Sequence, residues 1–149
     1  MKYKTFDHMN CSLAQTLNVI GDRWTLLILR DAFFGIKRFS QFTKNLGIAK
    51  NILTARLNFL VEEGIMERKE SSETAHLEYV LTDAGRSLQP ILLSMTHWGD
   101  VHRPHPDGDR IVFVERETGK PIRKMTVMSQ DGKPLKFRDV KGTLGPGMK

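Results

Sequence analysis

RFSQFTKNLGIAKNILTARLNFLVEEGIMERKESSETAHLEYVL, residues 38–81, is the stretch that decides how this chain folds. Phe39, Phe42, Leu46 and Ile48 have the spacing of one short helix and the turn after it. Leu53, Leu57 and Leu60 recur at i, i+4 and i+7, one face of a second helix. Gly64 follows Glu62 and Glu63, where a helix stops on a left-handed residue. Residues 65–69 and 77–81 each have strand composition, and residues 70–75 form a polar loop between them. Helix, turn, helix and hairpin, in that order, predict a winged helix-turn-helix.

Upstream, Ser12 is placed to cap a helix running to Ile20, with Leu13, Leu17 and Ile20 on one face. Gly21 and Asp22 interrupt it. A second helix over 24–34 carries Trp24, Leu26, Leu27, Ile28, Leu29, Ala32 and Phe33, and belongs in the core. Downstream, Thr82 and Asp83 start a helix that passes Leu88, Ile91, Leu92, Met95 and Trp98 to about Val101, bent at Pro90. Its apolar stripe covers its own domain or packs on the same helix of a second copy. Homodimerisation is the expectation, because reading two half-sites needs two modules.

Beyond residue 102 the composition changes. Pro104, Pro106, Asp107 and Gly108 read as a linker. Beta-prone runs follow at 111–114, 125–128 and 135–140, separated by turn pairs at Thr118-Gly119 and Asp131-Gly132. Residues 142–149 are Gly- and Pro-rich and read as a loose end. The expected class is therefore α+β: a mostly helical winged helix-turn-helix domain over 1–102 with a two-stranded wing, then a small β-rich extension over 103–149.

Composition narrows the function. The chain has 149 residues, 40% hydrophobic and 27% charged, as an ordinary globular protein does. It has no apolar run near the roughly 20 residues that span a bilayer, and residues 1–10 lack a secretory core. A single cysteine, Cys11, fits a reducing cytoplasm. Of the net charge of +6, residues 1–102 hold +1 (twelve Lys and Arg against eleven Asp and Glu). Residues 103–149 hold +5 (eleven against six). Residues 37–69 are locally +4, which suits phosphate contact through counterion release. No nucleophile elbow, glycine-rich phosphate loop or framed carboxylate pair is present, so no enzyme is predicted. His102 and His105 straddle Pro104 in the linker and make no metal site; no cofactor is expected.

With Leu53, Leu57 and Leu60 turned inward, Asn51, Thr54, Ala55 and Asn58 face outward. Asparagine pairs with adenine edges, and Thr and Ala methyls suit thymine. Ala49 and Lys50 stand at the helix start. The same residue types line ordinary solvated helices; the surrounding frame is what points them at double-stranded DNA. Arg38 and Ser40, at the start of the preceding helix, form a phosphate cradle with Lys44 nearby, although Ser40 serves equally as a cap. Arg56 points sideways, toward DNA or toward an internal ion pair. Arg68, Lys69 and His76 flank the wing as phosphate contacts. Trp24 and Trp98 are assigned to core packing rather than to a ligand pocket.

Residues 11–30 (CSLAQTLNVIGDRWTLLILR) resemble the opening signature of the HxlR family of bacterial transcription regulators. Arg38 to Phe42, Ile48 to Leu60, Glu78 to Gly85 and Trp98-Gly99 are similar to its later signatures, in order, across about residues 11–102. The resemblance implies a dimeric winged-helix regulator of MarR-like architecture whose flanking helices make the dimer. Leu13, Leu17, Leu88, Ile91, Leu92, Met95 and Trp98 then form the interface. Family wings carry a Pro and a basic residue before Glu-Tyr, whereas Thr74, Ala75, His76 and Leu77 stand here. Cys11 matches a position where relatives resemble thiol sensors, and a helix start favours a thiolate; a small-molecule or electrophile effector is implied. The function expected is a sequence-specific DNA-binding repressor. The alternatives are an enzyme or small-molecule-binding domain using the extension, or a protein-interaction winged helix.

Overall fold

The structure, a computed structural model, describes residues 4–148. Residues 1–3 of the polar N-terminal segment, and Lys149 of the predicted loose end, lie outside the described residues. The elements are α1 (Ser12–Ile20), α2 (Arg23–Phe33), α3 (Phe39–Leu46), α4 (Lys50–Glu62), β1 (Met66–Glu70), β2 (Leu77–Leu81), α5 (Asp83–Arg86) and α6 (Gln89–His102). The order is that of an α+β winged helix-turn-helix. Two compact units divide the chain, 1–89 and 90–149.

The first unit packs α2, α3 and α4 around one core. Ile28 and Leu29 of α2, Phe42 of α3, and Leu53, Leu57 and Leu60 of α4 are all fully buried. Each such side chain contributes about 1.5–3 kcal/mol relative to exposure. Asp22 caps α2 by accepting the Thr25 N–H at 3.0 Å. Ser12 does not cap α1. Cys11 is the N-cap residue, in an extended conformation, and its carbonyl accepts the Gln15 N–H; Ser12 is already helical. Gly47, at φ +64, supplies the left-handed residue that turns the chain from α3 into α4, and Gly64, at φ +72, follows α4.

β1 and β2 pair antiparallel, Met66 with Leu81, Arg68 with Tyr79 and Glu70 with Leu77. The Tyr79 N–H also donates to the Lys37 carbonyl at 2.7 Å, fastening the wing to the segment before α3. Thr82 caps α5 by accepting the Gly85 N–H, as its position predicts. The bent helix expected after Thr82 is instead two helices. Pro90 has no N–H and its ring would clash with the Arg86 carbonyl, so α5 stops at Arg86. α6 then begins with Pro90 in its first turn, where the missing donor costs little.

In the second unit α6 leads into a turn-rich extension, not a β-rich one. Val114 pairs with Pro121, and Met128 with Pro134, as isolated antiparallel bridges around Gly119 and Gly132. Both partners are prolines, which lack the N–H a growing ladder needs, so neither hairpin extends into strands. Phe137–Asp139 is a 3-10 turn inside the third β-prone run. Pro146–Met148 forms another, where the sequence predicts a loose end. The Met125 N–H donates to Nδ1 of His97 on α6 at 3.0 Å.

Candidate nucleic-acid interface

α4 presents two faces. Its three leucines are sealed in the core, whereas Lys50, Asn51, Thr54 and Ala55 are exposed, as is Ala49 at the N-cap position. The Thr54 hydroxyl donates to the Lys50 carbonyl at 2.8 Å, which leaves the outward face polar but locally tied. Asn58 is half-buried, further along the same helix.

The helix is strapped from behind. Arg56 Nε donates to Asp22 Oδ1 at 2.9 Å, and both side chains are mostly shielded. Arg56 thus joins α4 to the start of α2, which resolves its two sequence readings toward the internal ion pair. α3 is held by a second acid. Asp31, 1% exposed, accepts from the Arg30 guanidinium through Oδ1 and from Asn45 Nδ2 through Oδ2 at 2.8 Å. Neither Asp31 nor Asn45 is among the sequence-derived sites. The only signal was an acid inside an apolar helix, and its partner on α3 lies 14 residues away.

Around α4 the cations are arranged by their partners. Arg38 is the N-cap residue of α3, so Ser40 lies one residue inside the helix and is exposed, not capping. The Arg38 guanidinium donates to the Thr74 hydroxyl in the wing loop at 3.1 Å, joining the proposed cradle to the wing. Lys44 is exposed. On β1, the Arg68 guanidinium donates to Asn58 Oδ1 of α4 and lies 5.9 Å from the centroid of the Tyr79 ring. Lys69 pairs with Glu67 at 3.0 Å on an exposed surface, a contact of little energetic weight. His76 is exposed, and its carbonyl closes the wing loop by accepting the Ser71 N–H. The loop includes Ala75 at φ +53, a left-handed conformation unusual for alanine.

The helices at either end carry the other predicted residues. Leu13, Leu17, Ile91, Met95 and Trp98 are exposed in the single chain, and Leu88 and Leu92 are half-buried. Trp98 is 58% exposed and so is no core residue; its ring stacks on His102 at 4.5 Å and lies 5.9 Å from the Arg103 guanidinium. A terminal helix without a covering layer leaves its largest side chain to its own neighbours. Trp24, on α2, is half-buried. Cys11 is exposed and free, beside Asp7, His8 and Gln15 in an open hollow. Among the described residues no helix is long and apolar enough to cross a membrane, and no cluster of three metal-ligating side chains forms.

An exposed polar helix held on a helical core, with a cationic hairpin beside it, defines a DNA-binding winged helix-turn-helix of transcription regulators. Residues 19–107 match the family model of the HxlR-like helix-turn-helix, and the chain belongs to the HxlR family. It is 40% identical over 139 residues to the uncharacterized HTH-type transcriptional regulator Rv3095 of Mycobacterium tuberculosis, covering 93% of this chain and 88% of that protein. Among solved structures it is similar to PA1607, a candidate transcription factor, with a TM-score of 0.83 and 45% identity over 90% of this chain and 94% of that one. It is also similar to the redox regulator HypR in its reduced form, with a TM-score of 0.58 and 35% identity over 62% of this chain and 94% of the other.

Proposed function

We propose that this protein is a homodimeric, sequence-specific repressor that sets α4 of each copy into a major groove and lays the wing along the backbone. The observation that carries the reading is the division of α4. Three leucines fix the helix, and the face bearing Lys50, Asn51, Thr54 and Ala55 is left uncovered. Asn51 is the base-reading group, Lys50 and the Arg38 end of α3 meet phosphates, and Arg68, Lys69 and His76 carry the wing's share. Two copies joined through α1 and α6 supply two half-sites, and promoter occupancy suffices to repress.

Fluorescence anisotropy on a selected genomic operator and on random duplex tests this. Asn51→Ala is expected to weaken operator binding by about 1–3 kcal/mol and random binding far less. An unchanged ratio of the two affinities overturns the assignment of Asn51.

Cys11 supports an effector reading. It is exposed at the start of α1, and the similar structure HypR is a redox regulator. With one cysteine per chain, an oxidant such as diamide would take two electrons from two thiols, one on each copy, or from Cys11 and a small thiol. Wild-type protein should lose or gain operator affinity on diamide treatment and recover with dithiothreitol, and Cys11→Ser should not respond. A serine variant that responds like wild type removes Cys11 from the mechanism.

A further inference from the structure

No described residue from 90 to 148 is buried. This is a compact unit with defined turns, two antiparallel bridges and a hydrogen bond from Met125 to His97, yet it has no interior. Chains of this size normally need a hydrophobic core, a disulfide, a metal or a partner to hold one shape. The single cysteine lies elsewhere, at Cys11, and no metal-ligating cluster forms among the described residues. The apolar side chains are present but uncovered: Phe137 is 95% exposed and Leu144 82%, with Ile111, Val114, Met128 and Val140 also exposed.

Surface area gives the scale of what is missing. The chain exposes 11808 Å², whereas a compact monomer of 17.0 kDa exposes about 7,700 Å². The excess, roughly 4,000 Å² per chain, is of the size that obligate dimers bury, about 2,000–5,000 Å² in total. The exposed faces of α1 and α6 account for only part of it. The extension's net charge of +5 would suit phosphates, but Phe137 and Leu144 gain nothing from a sugar–phosphate backbone and much from an apolar surface. The extension also continues directly from the C-terminus of α6, whose Ile91, Met95 and Trp98 are exposed.

We infer that residues 103–148 are a second part of the homodimer contact: each extension packs on the 90–148 unit of the other copy, with Phe137 and Leu144 as anchors. The inference rests on the homodimer proposed above and deepens it. By symmetry the same patch serves both copies, so every anchor counts twice.

The test is sedimentation equilibrium on the full chain, comparing wild type with Phe137→Asp, Leu144→Asp and, as a comparator on α6, Trp98→Glu. Circular dichroism confirms folding; Phe137 and Leu144 are almost wholly exposed in the protomer, so neither substitution disturbs it. The expected result is a dimeric wild type and a dimer dissociation constant raised about tenfold or more by either extension variant. If wild type is dimeric, Trp98→Glu dissociates it and the extension variants do not, the extension is not part of the interface, although the dimer stands. If the extension variants weaken DNA binding without touching dimerisation, the extension belongs to DNA and the inference falls. If wild type is monomeric throughout, the homodimer itself fails, and this inference with it.

Discussion

Gly85 is confined by its neighbours. A Cβ built there would run into the Ile65 carbonyl oxygen and press on a methyl group of Leu81. The close approach lets Thr82 donate its hydroxyl proton to the Ile65 carbonyl and accept the Gly85 N–H, which locks α5 onto the foot of the wing. Gly85→Ala is therefore expected to destabilise the first unit by about 1–3 kcal/mol, since backbone must move to admit the methyl. A urea titration checks it; a midpoint equal to wild type would show that the fit is looser than drawn. Asp31 tells a related story. A buried carboxylate with both oxygens bonded is stable only while its partners stay, and none of this is visible from an acid flanked by apolar residues in the chain.

At the level of elements, α4 was easy to read and its mounting was not. Leucines at i, i+4 and i+7 announce an amphipathic helix because periodicity is local, and the outward face follows by subtraction. The strap behind it, Arg56 to Asp22, joins residues 34 positions apart, a distance over which sequence carries no period. Arg56→Ala should cost about 1–2 kcal/mol of stability, because a charge-assisted bond is lost and Asp22 keeps its Thr25 partner. A double-mutant cycle with Asp22→Asn measures the coupling; additive losses would mean the two groups act separately. The extension shows the converse limit. Its β-prone runs are real in composition, but strands need neighbours, and prolines at both bridges stop the ladders. The break at Pro90 was misread as a bend for want of a partner helix to hold one continuous rod.

For the whole molecule, recognition depends on how many modules meet the duplex at once. A monomeric variant such as Trp98→Glu should retain the fold of the first unit but contact about half as many phosphates. The slope of log affinity against log salt should then fall to about half the wild-type value, because each neutralised phosphate contributes about 0.9 to it. Titrations at several salt concentrations give that slope directly. A slope equal to that of wild type would mean that one copy already makes all the phosphate contacts.

Arg68 and Asn58 hold each other while no nucleic acid is bound. A duplex that claims the asparagine must outbid the arginine already satisfied by it, and a poor sequence leaves the pair closed. The resting molecule thus carries an internal competitor that raises the threshold for engagement, trading some tightness on the right operator for greater indifference to the rest of the chromosome.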